Sequence, residues 1–216
     1  MKIKNLIKKL GKEFPINLAE SWDNVGLLIG DEDRIITKVQ ISLDATEDVI
    51  DHAIEVGANL IITHHPMIFN GVKKITSKNF LGRKILKIIE NKIAVYSMHT
   101  NLDSANGGLN EYIVSKLGIE TSKILDEKKD INNISLGGLG RVYNLLEPVK
   151  LMEYLDIVKS KLNLENIRVV GELDREIKKI AIVNGSGASY LKKVEKLGVD
   201  LFITGDIKYH EGLDAR

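Results

Sequence analysis

The sequence predicts an α/β fold in which one unit is built twice, and three observations predict it. Short runs rich in β-branched residues alternate with stretches of helical periodicity, the pattern of strands and helices packed in layers. The segment Ile36–Thr63 aligns without a gap on Ile177–Thr204, at a constant offset of 141 residues. Seven positions are identical across that window (Ile36/Ile177, Lys38/Lys179, Ile41/Ile182, Gly57/Gly198, Leu60/Leu201, Ile62/Ile203 and Thr63/Thr204), more than chance supplies over about thirty residues. Finally, a chain of 216 residues that is 44% hydrophobic and 28% charged can bury the core such a fold needs.

Taken in order, the chain opens on Met1–Leu10, where lysines spaced between apolar residues predict a short amphipathic helix. Strands are expected near 25–30, 37–43, 59–63, 93–98, 138–144, 166–170, 178–183 and 200–204. Helices are expected near 46–56, 78–91, 105–117, 148–162, 187–197 and from 206 onward. In helix 105–117, Leu109, Tyr112, Ile113 and Leu117 fall on one face, and Gly118 supplies the stop. The charged run 126–130 followed by Ile131-Asn-Asn133 is the most loop-like stretch. It divides the chain into a first half, 1–125, and a second, 126–216. The second half is expected to be incomplete: the offset places its counterpart of residues 99–103 beyond Arg216, and Leu213-Asp-Ala-Arg216 has no helix stop.

Bulk properties narrow the function. A net charge of +1 gives no basic field for a nucleic-acid backbone. With no cysteine there is neither a disulfide nor a thiolate metal site, so any metal must be held by imidazole and carboxylate. No apolar run approaches the roughly 20 residues that span a bilayer, and the start lacks a signal-peptide core. A cytoplasmic protein is expected.

The two copies differ where chemistry would sit. After the shared Leu-x-Ile-Thr strand, the first continues His64-His65-Pro66 and the second Gly205-Asp206. The carboxyl end of a buried strand is where α/β sheets form ligand crevices. Neighbours on a strand point to opposite faces, so both imidazoles serve one centre only if the chain leaves the sheet, which Pro66 favours. Divergent rings suit two neighbouring metals. The next strand delivers His99-Thr-Asn-Leu-Asp103 to the same edge, adding in Asp103 a carboxylate ligand, or else a cap of helix 105–117 that Ser104 could equally supply, and in His99 a ligand, a partner of one or a proton shuttle.

Other candidates have a structural reading beside the functional one. Asp44, in Asp44-Ala-Thr46 before a helix, is read as an N-terminal cap. Glu20-Ser-Trp-Asp-Asn24 holds the sole tryptophan and either lines a pocket or forms a capped turn with a buried aromatic. His52 is read as a solvated helix residue. His210, in Tyr209-His210-Glu211, either faces the crevice or is exposed. The glycines of Ser135-Leu-Gly-Gly-Leu-Gly-Arg141 lack the Gly-Lys-Ser/Thr of a phosphate loop and are read as close packing, with Arg141 a candidate anion contact. Gly185-Ser-Gly187 is a tight turn or an anion site at a helix start.

Trp22-Asp-Asn-Val-Gly26, Ser42-Leu-Asp-Ala-Thr46, Ile61-Ile-Thr-His-His-Pro66, His99-Thr-Asn-Leu-Asp103, Thr204-Gly-Asp206 and Lys208-Tyr-His210 together resemble the GTP cyclohydrolase 1 type 2 homologue (NIF-three-like) family over essentially the whole chain. The resemblance implies a duplicated α/β fold with mixed, largely parallel sheets, a ring-shaped homohexamer and a dinuclear metal site. His64 and His65 would each bind one of two divalent cations, Asp103 would bind one or bridge them, and His99 would lie close by. Zinc, manganese, iron and nickel all accept such donors. The family pattern also uses a histidine and a glutamate from a Gly-His-Tyr-x-Thr-Glu type segment that this chain does not reach. The implied activity is a metal-dependent hydrolase that opens a purine nucleotide ring, with His99 or His210 moving the proton. Metal holding or transfer without turnover, or a ring-shaped regulatory scaffold, is the alternative.

Overall fold

The computed structural model describes residues 1–216. They form two compact units, Met1–Ala105 and Asn106–Arg216, so the division falls ahead of the expected break at 125/126.

In the first unit, α1 (Ile3–Glu13) precedes β1 (Gly26–Ile29), β2 (Val39–Ser42), α2 (Glu47–Val56), β3 (Leu60–Thr63), α3 (Phe80–Glu90), β4 (Ala94–Ser97) and α4 (Thr100–Ser104). The four strands form one sheet in the order β1-β4-β3-β2, with β2, β3 and β4 parallel and β1 antiparallel to β4. Alternation of side chains along the strands sorts the core into two layers. Leu60, Ala94 and Tyr96 pack with Ile3 of α1 on one face, whereas Ile61 and Val95 pack with Ile50 and Ala53 of α2 and Ile88 of α3 on the other. Every residue of β4 is buried, as expected of a strand covered on both faces. Helix α2 starts where its chemistry dictates: the Thr46 hydroxyl accepts from Val49 N at 3.2 Å, Glu47 and Asp48 occupy the first turn, and Gly57 ends the helix at φ 73°.

The second unit runs α5 (Leu109–Lys116), β5 (Lys123–Lys129), β6 (Ser135–Lys150), α6 (Leu151–Leu162), β7 (Glu176–Val183), α7 (Leu191–Lys196), β8 (Leu201–Thr204) and α8 (Tyr209–Asp214). Its sheet has the order β5-β6-β7-β8, antiparallel except for the parallel β7–β8 pair. One face, with Tyr143, Ile180 and Ile182, packs on α5 and α6; the other, with Ala181 and Val183, packs on Val194 of α7.

Both copies of the repeat keep the same register at the same offset. Val39, Gln40, Ile41 and Ser42 stand opposite Leu60, Ile61, Ile62 and Thr63. Ile180, Ala181, Ile182 and Val183 stand opposite Leu201, Phe202, Ile203 and Thr204. The side chain that closes each unit is repeated as well: Asn59 accepts from Thr37 N, and Asp200 accepts from Lys178 N, each at 2.9 Å.

Several expectations are corrected. The stretch read as a loop is half strand: β5 extends to Lys129, and the hairpin turn is drawn in by Asp130, whose carboxylate accepts from Asn132 N and Ile134 N. Its charges sit on a sheet edge, where they discourage further pairing. Residues 166–170 form no strand. The helix expected at 105–117 is present but shorter, as α5 from Leu109 to Lys116, with Gly107 at φ 70° in the turn ahead of it. The buried face of α5 is Asn110 and Val114, while Tyr112 is exposed. The helix expected at 187–197 begins as a 3₁₀ turn, Ala188–Tyr190, before α7. Strand 138–144 lengthens into β6 with an irregularity between Asn144 and Val149. Arg141 is no anion site: its fully buried guanidinium donates to Gly138 O, Gly140 O and Glu111 Oε1, each at 2.8 Å. Close packing of the glycines is real, since a Cβ on Gly138 would lie 2.0 Å from Asp126 O.

Candidate metal centre

Register brings the histidines together. Thr63 and Ser97 are paired at the carboxyl ends of the neighbouring parallel strands β3 and β4, and their buried hydroxyls hydrogen-bond at 2.8 Å. The chain leaves the sheet just beyond both, with the Thr63 hydroxyl donating to His65 O at 2.9 Å to shape the turn before Pro66. His64 and His65 thus emerge beside His99, which opens α4. The ring centroids are 5.1 Å apart for His64–His65, 5.0 Å for His64–His99 and 5.6 Å for His65–His99. Each ring offers a nitrogen within 4.8 Å of those of the other two.

One ring nitrogen of each histidine is already engaged. His64 Nδ1 lies 2.9 Å from Met98 O, His65 Nδ1 2.9 Å from Asp44 Oδ1, and His99 Nδ1 3.0 Å from Asp23 Oδ1. An oxygen acceptor at Nδ1 fixes the tautomer and leaves Nε2 with its lone pair free, the arrangement that metal-binding histidines use. His64 Nε2 is also 3.7 Å from Asp103 Oδ1, which is buried. Asp23, Asp44 and Asp103, which contact the rings, are carboxylates and favour a cation among them.

The supports differ in burial. The Asp23 side chain is fully buried. Burial pushes its pKa up, but hydrogen bonds from the Thr100 hydroxyl, from His99 and from Thr100 N outweigh it and hold the carboxyl below its usual range. The His64 pKa is pushed down, chiefly by burial and against the pull of Asp103, which favours the neutral imidazole. His65 and Asp44 are about half exposed, so the site opens to solvent on their side.

Of the residues singled out in the sequence, the structure brings His64, His65, His99 and Asp103 together. His210 lies in the other unit, on α8, exposed and edge-on to Tyr209. Asp44 is corrected: Thr46 is the cap of α2, and the Asp44 carboxylate turns to His65. Trp22 is no buried aromatic, being 57% exposed. His52 is exposed, as read, and its Nδ1 meets Gln40 Oε1 at 2.9 Å. Gly185-Ser-Gly187 is a tight turn whose Gly187 N donates to the Thr204 hydroxyl. The sequence alone did not assign Asp23 to the site. The dipeptide Trp22-Asp23 carried the signal, but its partner Thr100 is far away in the chain.

Comparison with known proteins agrees with this architecture. A protein of Clostridium perfringens named GTP cyclohydrolase 1 type 2 homolog is 46% identical over 210 residues, covering 97% of this chain and 79% of that protein. A Staphylococcus epidermidis protein of the same name is 29% identical over 316 residues, covering all of this chain and 86% of its own length. The crystal structure of the Staphylococcus aureus hypothetical protein SA1388 superimposes with a TM-score of 0.89 at 38% identity, covering 100% of this chain and 82% of that one. A Bacillus cereus protein related to NIF3 gives the same TM-score at 27% identity, covering 100% of this chain and 85% of that one. The family model described as Duf34/NIF3 (NGG1p interacting factor 3) matches residues 1–216, and with the histidine pair, the His99–Asp103 segment and the duplicated sheet all in place, the chain belongs to that family.

Proposed function

We propose that this protein is a divalent-metal-dependent hydrolase acting on a purine nucleotide or a similar nitrogen heterocycle. The observation that carries the reading is the set of three imidazoles, each with Nδ1 on an oxygen acceptor and the three rings grouped beside Asp103. His64, His65 and Asp103 would hold the metal, with His99 as a fourth donor or a proton acceptor. Four nitrogen and oxygen donors fit one tetrahedral shell; a second cation requires donors beyond these four. Zinc, manganese, iron and nickel remain equivalent for this set.

When bound, the metal supplies Lewis acidity and lowers the pKa of water near it. Asp23, held ionised by Thr100, orients His99 through Nδ1, which leaves the opposite nitrogen to take a proton from attacking water. For a guanine nucleotide, one water would open the five-membered ring at C8 and a second would release formate. The relatives named GTP cyclohydrolase 1 type 2 homolog support this substrate class. The exposure of His65 and Asp44 favours a second reading, in which the same donors hold and pass on metal without turnover.

The test is formate release from GTP by metal-loaded protein, beside elemental analysis of the parent and of His64→Ala. Metal lost in the variant and formate released by the parent are expected. Equal metal in both sinks the site, and retained metal without formate selects the second reading. A closed homo-oligomer, most simply a hexamer, is proposed on the family resemblance.

A further inference from the structure

Trp22 and Phe69 are large apolar side chains left 57% and 47% exposed beside the histidines. Their ring centroids are 5.8 Å apart at 45°, and Trp22 stands edge-on to His99 at 6.1 Å and 72°. Single exposed aromatics are ordinary, but this pair is in mutual contact and its supports are fixed. Asn24 Nδ2 donates to Ile68 O at 2.6 Å, tying the turn that bears Trp22 to the backbone next to Phe69. Asp23, between Trp22 and Asn24, is buried and bonded to Thr100 and His99. The turn is closed by Asp23 N donating to Glu20 O at 3.0 Å. The same residues that orient a candidate metal donor therefore also hold an aromatic surface against it.

We infer that Trp22 and Phe69 form a stacking platform for a planar nitrogen heterocycle whose edge reaches the histidines. The inference rests on the metal-site reading for what lies at that edge, and it adds the part that recognises the ring. Aromatic faces bind flat heteroaromatic rings by stacking and discriminate little among them. The platform sets the class of ligand, while the donors at the histidine end set which ring edge is accepted. An aliphatic or sugar phosphate offers no face to stack.

Trp22 is the sole tryptophan of the chain, so its fluorescence reports this platform alone. Guanosine titrated into the full chain, with and without zinc, is expected to quench the emission saturably, whereas ribose 5-phosphate leaves it unchanged. N-acetyltryptophanamide serves as the control for unsaturable collisional quenching. Phe69→Leu keeps apolar bulk but loses the π face, and is expected to weaken guanosine binding about tenfold. Calorimetry with Trp22→Leu, which lacks the reporter, is expected to show a similar loss, and zinc affinity is measured separately in each variant. Zinc binding without saturable quenching overturns the platform and leaves the metal site standing. Quenching without formate release supports the platform and counts against the hydrolase. Emission that shifts with protein concentration and ignores guanosine means a second copy covers the pair, which also overturns the platform.

Discussion

Asp23 and Asp44 meet their histidines in similar ways but are held differently, and their substitutions should differ accordingly. Asp23 is buried and fixed by Thr100; Asp44 is half exposed and bonded to a half-exposed ring. Asp23→Asn keeps the shape but loses the charge that orients His99, and an amide nitrogen can face the ring where only an acceptor served. Removing such a support typically costs about 10–100-fold in metal affinity or activity. Asp23→Asn should fall in that range, and Asp44→Ala should lose less because water can replace it. Zinc competition titrations of both variants would show the order, and equal losses would contradict it.

At the scale of elements, two helical glycines that look alike in sequence should behave oppositely. Gly11 in α1 has nothing within 4 Å of where a Cβ would sit, whereas on Gly82 in α3 a Cβ would lie 2.1 Å from Thr76 O. Alanine favours a helix over glycine by about 1 kcal/mol, and overpacking costs about 1–3 kcal/mol. Gly11→Ala should therefore raise the urea midpoint and Gly82→Ala should lower it. In the second unit the Glu111 carboxylate accepts from Gly107 N and from the buried Arg141. Burial pushes the Glu111 pKa up, but those two donors outweigh it and hold the pKa below its ordinary 4.5. A depressed folded pKa means that the contribution is complete above 4.5 and is lost as pH falls through the folded value. Glu111→Gln should be less stable at pH 7, and the gap should narrow as the solution is acidified below 4.5; a pH-independent gap would rule out the ionic contribution.

Across the whole molecule, the duplication leaves one strand face covered in one copy and open in the other. Ile180 and Ile182 of β7 are buried beneath α5 and α6, but their counterparts on β2, Val39 and Ile41, are exposed, Ile41 by 79%. Leu43 extends the row. β2 is also a sheet edge, and edges bearing apolar rows are surfaces on which copies associate. Light scattering should return a multiple of 24.1 kDa, and Ile41→Lys should lower the mass. A parent mass of 24.1 kDa at micromolar concentration would refute the oligomer.

The α/β class, the repeat with its register and seven of the eight strand positions expected were legible in the sequence, because periodicity and the constant offset are properties of the chain itself. The grouping of His64, His65 and His99 was legible too, since the strands that precede them are neighbours, whereas a ligand role for them and for Asp103 belongs to the proposal. Sequence could not show that residues 123–129 form a strand, because a charged edge strand reads like a loop until its partner β6 is known. Nor could it assign Asp23, Asp44, Arg141 or Trp22. Each has a local reading as cap, turn, anion contact or core, and the choice depends on atoms distant in the chain: Thr100 for Asp23, His65 for Asp44, Glu111 for Arg141 and Phe69 for Trp22. Local chemistry determines which groups are available, but only tertiary packing decides which of them meet.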